Sequence, residues 1–260
     1  MASPQSKPSI PGISDLFTRT WDTYRRKFWT LITIGIIAAL LLVVFGFFFA
    51  LIGDIRRFAP GTLIYAGFLV INFIAVLIVI TLTIWSTASL IVAIRGSEES
   101  LGAVGAVAAF KQSWKYVFKF FWVSVLTALA VFGGFILLVI PGIYMGIILS
   151  LAPIIIIAEF KDVSIISALK KSHFYIKGYG WQTLGRFLIL LLLLIAFGLA
   201  LGVVLFLPLS ILAAIIPQLS AFFRSLGNTT ADIILTPFTT IYWILIYEDL
   251  KKAKQSTELS

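Results

Sequence analysis

FFWVSVLTALAVFGGFILLVIPGIYMGIILSLAPIIIIA, residues 120–158, is a run of 39 residues without a charge. How often it crosses a membrane decides the fold. About 20 apolar residues cross a bilayer as a helix, so a single pass leaves far too many over. Two passes fit if the chain turns near the middle, where Pro141-Gly142 stands. Proline ends a helix and glycine permits a tight turn. The run therefore reads as a hairpin, 120–140 and 142–158.

Charge tests this split. With two passes here the chain has six spans, near 28–52, 62–94, 120–140, 142–158, 184–207 and 229–247, and one face receives 17 of the 20 Lys and Arg. Only Arg56, Arg57 and Arg224 fall on the other. With one pass the same residues divide ten to ten. Basic residues collect on the cytoplasmic side of membrane proteins, so the hairpin and two cytoplasmic termini are expected. The expected class is an all-α integral membrane protein of the plasma (cytoplasmic) membrane. Nothing alternates with the dyad period of an outer-membrane barrel. A chain that is 60% hydrophobic and 12% charged has no room for a soluble domain.

The net charge of +9 is then a matter of topology: +8 inside (17 basic, 9 acidic) and +1 outside (3 basic, 2 acidic). It favours anionic headgroups as partners, with other membrane proteins as further candidates, and gives no reason to expect nucleic acid. Cysteine is absent, which excludes disulfides and thiolate chemistry, and His173 is the one histidine. No metal-ligand spacing, phosphate loop or catalytic triad appears, so neither cofactor nor metal is expected.

Three aromatic-basic segments precede span pairs. From Phe17 the offsets 0, 4, 7, 11 and 12 hold Phe17, Trp21, Tyr24, Phe28 and Trp29. From Phe110 they hold Phe110, Trp114, Val117, Phe121 and Trp122, and from Leu169 they hold Leu169, His173, Ile176, Gly180 and Trp181. The first four offsets share one helical face. Basic residues fill the other face: Arg19, Arg25 and Arg26, then Lys111 and Lys115, then Lys170, Lys171 and Lys177. The spacing predicts amphipathic helices at 14–27, 103–118 and 164–177, lying on the inner leaflet. Gly178 and Gly180 end the third early. The chain thus divides as one membrane domain: a tail (1–13), three units (14–94, 101–158, 164–247) and a second tail (251–260). A threefold internal repeat is expected.

Four stretches, taken together, resemble a known family: AIRGSEESLGA after the second span, IPGIYMGIILSLAPIIIIAEF, ISALKKSHFYIKG, and TPFTTIYWILIYEDLKK. They are similar to the membrane domain attached to some glycerophosphoryl diester phosphodiesterases and to related prokaryotic membrane families of unknown function. In those enzymes the phosphodiesterase chemistry belongs to a separate soluble barrel. The resemblance therefore implies a membrane fold and carries no catalytic residue across.

Polar residues in spans are the usual pointers to function. Asn72 suits an interhelical hydrogen bond. Asp232, expected to open the last span, suits a helix N-terminus and its dipole. Glu159 ends the fourth span and Glu248-Asp249 the sixth, both facing a basic surface, as structural carboxylates would. Lys170, Lys171, Arg25, Arg26 and Lys251 are the cations within reach of Glu159. His173 stands where the other segments place Trp and reads as packing. The expected function is a non-enzymatic scaffold or accessory subunit of the inner leaflet. A small transporter or channel subunit using Asn72, Asp232 and the segment 208–217 is the alternative. An intramembrane lipid-modifying enzyme using Glu159 and Asp249 is a third.

Overall fold

The computed structural model describes residues 10–55, 62–99, 105–159 and 163–258. Lys7, Arg56, Arg57 and Lys161 of the charge count, and positions 103–104 of the second amphipathic segment, lie outside these. All described elements are helical: α1 (Ile13–Ile55), α2 (Thr62–Glu99), α3 (Ala106–Leu137), α4 (Val139–Leu149), α5 (Ala152–Ala158), α6 (Ile165–Ile176), α7 (Gly180–Leu201), α8 (Leu207–Ile215) and α9 (Ser220–Glu258). Six helical stretches are long and apolar enough to span a membrane: Ile13–Phe45, Leu69–Gly96, Ala106–Leu137, Val139–Ala158, Gly180–Ile215 and Pro217–Ser256.

Pro141, Pro153 and Pro208 place three of the breaks, each acting on the residue four positions before it. A proline ring collides with that carbonyl and offers it no N–H. For Pro141 the carbonyl is that of Leu137, and α3 ends there. The turn is one residue, Leu138, in extended backbone (φ −169°, ψ 159°). It thus precedes the expected Pro141-Gly142. Pro141 sits in the first turn of α4, where helical N–H groups lack partners anyway. Pro153 acts on Leu149, splitting the fourth span into α4 and the buried α5.

Pro208 acts on Val204. Here the helix opens into a π-helical turn, Gly202–Phe206, and carries on as α8. The expected end of the fifth span near Leu207 is thereby corrected to Ile215. Segment 208–223 is neither a surface nor a re-entrant loop. It is α8, a short turn at Ile216–Leu219, and the first residues of α9. The sixth span starts near Pro217 instead of 229, and α9 continues through the expected tail to Glu258. Pro237 lies inside α9. It loosens the carbonyls before it, and the Tyr24 hydroxyl of α1 donates to the Ile234 oxygen at 3.2 Å.

Two of the three amphipathic segments are not separate helices. No proline interrupts 13–55 or 106–137, so 14–27 and the described part of 103–118 are the opening turns of α1 and α3. The third is separate: α6 ends at Ile176 and Gly178 adopts φ 91°, a left-handed conformation that suits glycine.

The α3–α4 hairpin closes on two glycines. A Cβ on Gly134 would stand 2.9 Å from the Gly142 Cα, and backbone cannot swing aside. Gly134→Ala should force the hairpin apart and cost about 1–3 kcal/mol, the usual range for overpacking. Gly133→Ala, with nothing within 4 Å, is the control and should leave stability unchanged. Detergent-solubilised unfolding curves of the two variants check this.

Candidate functional site

The antiparallel spans bring the starts of α1, α3 and α7 and the ends of α2, α5 and α9 to one end of the bundle. Contacts there tie them together: Lys27 Nζ donates to the Ile94 carbonyl, and Trp85 Nε1 to the Phe110 oxygen at 2.9 Å. Nearly all described charges lie at this end, while Arg224 and Asp232 stand toward the other. Two ionic clusters are built here.

The first surrounds Glu159, at the C-terminus of α5. A helix C-terminus is the wrong place for an isolated anion, because the dipole's negative end repels it. Two cations answer this: Lys171 Nζ at 2.6 Å from Oε2 and Lys251 Nζ at 2.7 Å from Oε1. The hydroxyls of Tyr247 (2.7 Å) and Tyr175 (3.0 Å) donate to the same Oε1. Burial pushes the carboxyl up, but the hydrogen bonds from Lys171, Lys251 and Tyr247 outweigh it and hold its pKa at about 2. Glu159 is therefore a carboxylate, saturated with donors, that joins α5 to α6 and α9. Tyr175 and Tyr247 also meet edge to face, 6.0 Å between centroids.

The second cluster is deeper. The Asp249 side chain, 2% exposed, receives both Nη atoms of Arg19, at 3.1 and 2.7 Å. This two-pronged pairing is the strong form of a carboxylate–guanidinium contact. Arg186 of α7, with a side chain 5% exposed, places Nη1 3.8 Å from the same carboxylate. Its Nη2 donates to the Pro11 carbonyl at 2.6 Å, drawing the chain ahead of α1 onto the bundle. Its backbone oxygen accepts from the Tyr242 hydroxyl at 3.0 Å. Nη1 itself has no hydrogen-bond partner. Arg19 also reaches Asp15, 2.8 Å from Nε, on its own helix.

The three aromatic-basic segments bury corresponding positions. One residue before the offset-0 position stand Leu16, Ala109 and Ala168, and one before the offset-4 position stand Thr20, Ser113 and Ser172; all six are fully buried. The last three are hydroxyls. Ser113 shares a 2.8 Å hydrogen bond with Ser89 of α2, 24 residues back, and Ser172 donates to the Ile148 carbonyl of α4, also 24 back. Thr20 bonds within its own helix, to the Leu16 carbonyl. At offset 12, Trp29, Trp122 and Trp181 are exposed by 79%, 42% and 86%. Trp21 and Trp114 are exposed as well, and so are Arg25, Arg26, Lys111, Lys115 and Lys170. The face drawn through Phe17, Trp21 and Tyr24 is thus one residue off the buried one, Leu16, Thr20 and Tyr24.

The remaining candidates are not brought together. Asp232 lies well inside α9, exposed, so a helix N-terminus does not stabilise it. That expectation failed because the last helix begins near Pro217, ahead of the expected start. Asn72, half-buried, is far along α2 from both clusters. His173 and Glu248 are half-buried beside the clusters, with no part in the contacts described above. Pro141 and Gly142 belong to the opposite end, at the hairpin turn. Sequence reasoning missed Arg19, Arg186, Tyr175 and Tyr247 as site residues. The signal for Arg186 was available: it is the one charge between Lys177 and Arg224, already inside a span. Comparison of the chain with family models, with curated proteins and with solved structures gives no match.

Proposed function

We propose that this chain is a non-enzymatic protein of the cytoplasmic leaflet of the plasma membrane, a scaffold or accessory subunit that gathers anionic lipids or partner proteins. Three repeated units, each opening with an aromatic-basic helical segment, do the gathering. The observation that carries this reading is the register of the segments: equivalent positions are buried, and equivalent tryptophans stand out beside exposed lysines and arginines. Tryptophan and basic side chains at one depth suit the headgroup boundary, and positive charge suits the inner leaflet. Glu159 and Asp249 are each engaged by two cations, which suits bracing the bundle better than acid–base work.

The test is reconstitution of the full chain in vesicles of phosphatidylglycerol and phosphatidylcholine. Spin-labelled phosphatidylglycerol should show a larger motionally restricted fraction than spin-labelled phosphatidylcholine, and single cysteines at positions 115 and 252 should label from the same side. Lipid turnover, or solute flux lost in Asp232→Asn, would replace this reading with the enzyme or the transporter.

A further inference from the structure

A groove of about 540 Å³ runs along the contact between α4 and α7. Its long wall is aliphatic, with Ile140, Ile143 and Ile147 of α4 facing Leu184 of α7. Its mouth lies at the α6–α7 junction, where Lys177 and Trp181 stand exposed. A second groove of about 260 Å³, apolar but for Ser150 and Thr183, flanks the same contact and shares Ile143, Ile147 and Leu184 with the first. The volume is that of a site for a sizeable organic molecule.

Charge at the mouth has one sign. Lys177 is the only charged residue lining the groove, and the chain from 163 to 231 contains no Asp or Glu. Glu159, a carboxylate at the same end of the bundle, already holds Lys171 and Lys251. Lys177 is exposed and directed to no acidic partner among the described ion pairs. An occupant must therefore be apolar over most of its length, anionic at one end, and oriented with that end toward the basic face of the bundle.

We propose that this groove binds one anionic phospholipid, an acyl chain lying between α4 and α7 and the phosphate at Lys177. Trp181 supports the glycerol region, as tryptophan does at the depth where apolar and wet surroundings meet. One lysine near a membrane surface favours an anionic lipid by about five-fold over a zwitterionic one. The proposal deepens the lipid-gathering reading above by assigning it a site, and it rests on that reading.

Native mass spectrometry of the full chain, released from neutral detergent after adding equal phosphatidylglycerol and phosphatidylcholine of matched chains, tests it. The wild type should retain phosphatidylglycerol about five-fold in preference. Lys177→Gln, at an exposed position, should lower that preference several-fold and leave only what the other basic segments hold. Ile143→Trp, which fills the groove from a partly exposed wall position, should lower retention of both. Glycerol phosphate added in excess should displace nothing, because the chain contributes most of the binding. A Lys177→Gln protein with its preference intact, an Ile143→Trp protein that binds as before, or displacement by glycerol phosphate each overturns the site. In those cases a surviving wild-type preference leaves the lipid-gathering reading standing, whereas a wild type with no preference overturns both.

Discussion

Asp249→Asn should destabilise the folded chain by about 3–5 kcal/mol, the cost of stripping one partner from a buried ion pair. The substitution keeps size and one acceptor but removes the charge that two guanidiniums share. Arg19 would retain exposed Asp15. Arg186 would retain only the Pro11 carbonyl, with Nη1 buried and now facing no anion. The penalty is therefore mostly that of an uncompensated charge in an apolar setting, so removing all three charges should cost much less than removing one. The triple variant Arg19→Met, Arg186→Met, Asp249→Leu should unfold closer to wild type than Asp249→Asn does. Equilibrium unfolding of the purified protein in mixed micelles measures both. Equal stability of Asp249→Asn and wild type would mean that Asp249 is not held as described.

Glu159→Gln should cost about 1–3 kcal/mol, from hydrogen bonds to a charged group that become weaker or are lost. Lys171 and Lys251 would then stand side by side without the carboxylate between them. The cost also has a pH signature. The folded carboxyl titrates at about 2, below its ordinary 4.5. Unfolding therefore takes up a proton in the acid range, and the ion pairs contribute fully only above about 4.5. Their contribution falls as pH drops through the folded value near 2. Wild type should lose stability across this interval, while Glu159→Gln should show a flatter profile and converge on wild type at its acid end. Parallel profiles would remove the carboxylate from the account. Tyr247→Phe, which deletes one hydroxyl donor to Oε1, should give a smaller loss of about 1 kcal/mol with a similar but weaker pH dependence.

Span number and the gathering of charge at one end follow from composition and the bilayer's thickness. Each depends only on counting apolar residues and basic side chains along the chain, and both were readable from Phe120–Ala158 outward. The prolines were also readable as breaks, because a proline's clash with the carbonyl four residues back is local. What the chain does in response is decided by packing. At Leu137 it turns, at Val204 it widens into a π turn, and at Ile233 it continues with Tyr24 at the adjoining carbonyl. Neighbouring helices decide which of these is cheapest, and no local window contains them.

The ionic clusters divide the same way. Glu159 and its candidate cations could be named from their common depth at the membrane boundary, since helical rise sets depth. Which lysines close on it, and that Tyr175 and Tyr247 join them, depends on the rotation of α6 and α9 about their axes. Arg19 and Asp249 are 230 positions apart in sequence, and Arg186 enters from a third helix. Only the packing of α1, α7 and α9 could bring them together, because an ion pair in an apolar interior forms wherever the folded helices leave both charges without water.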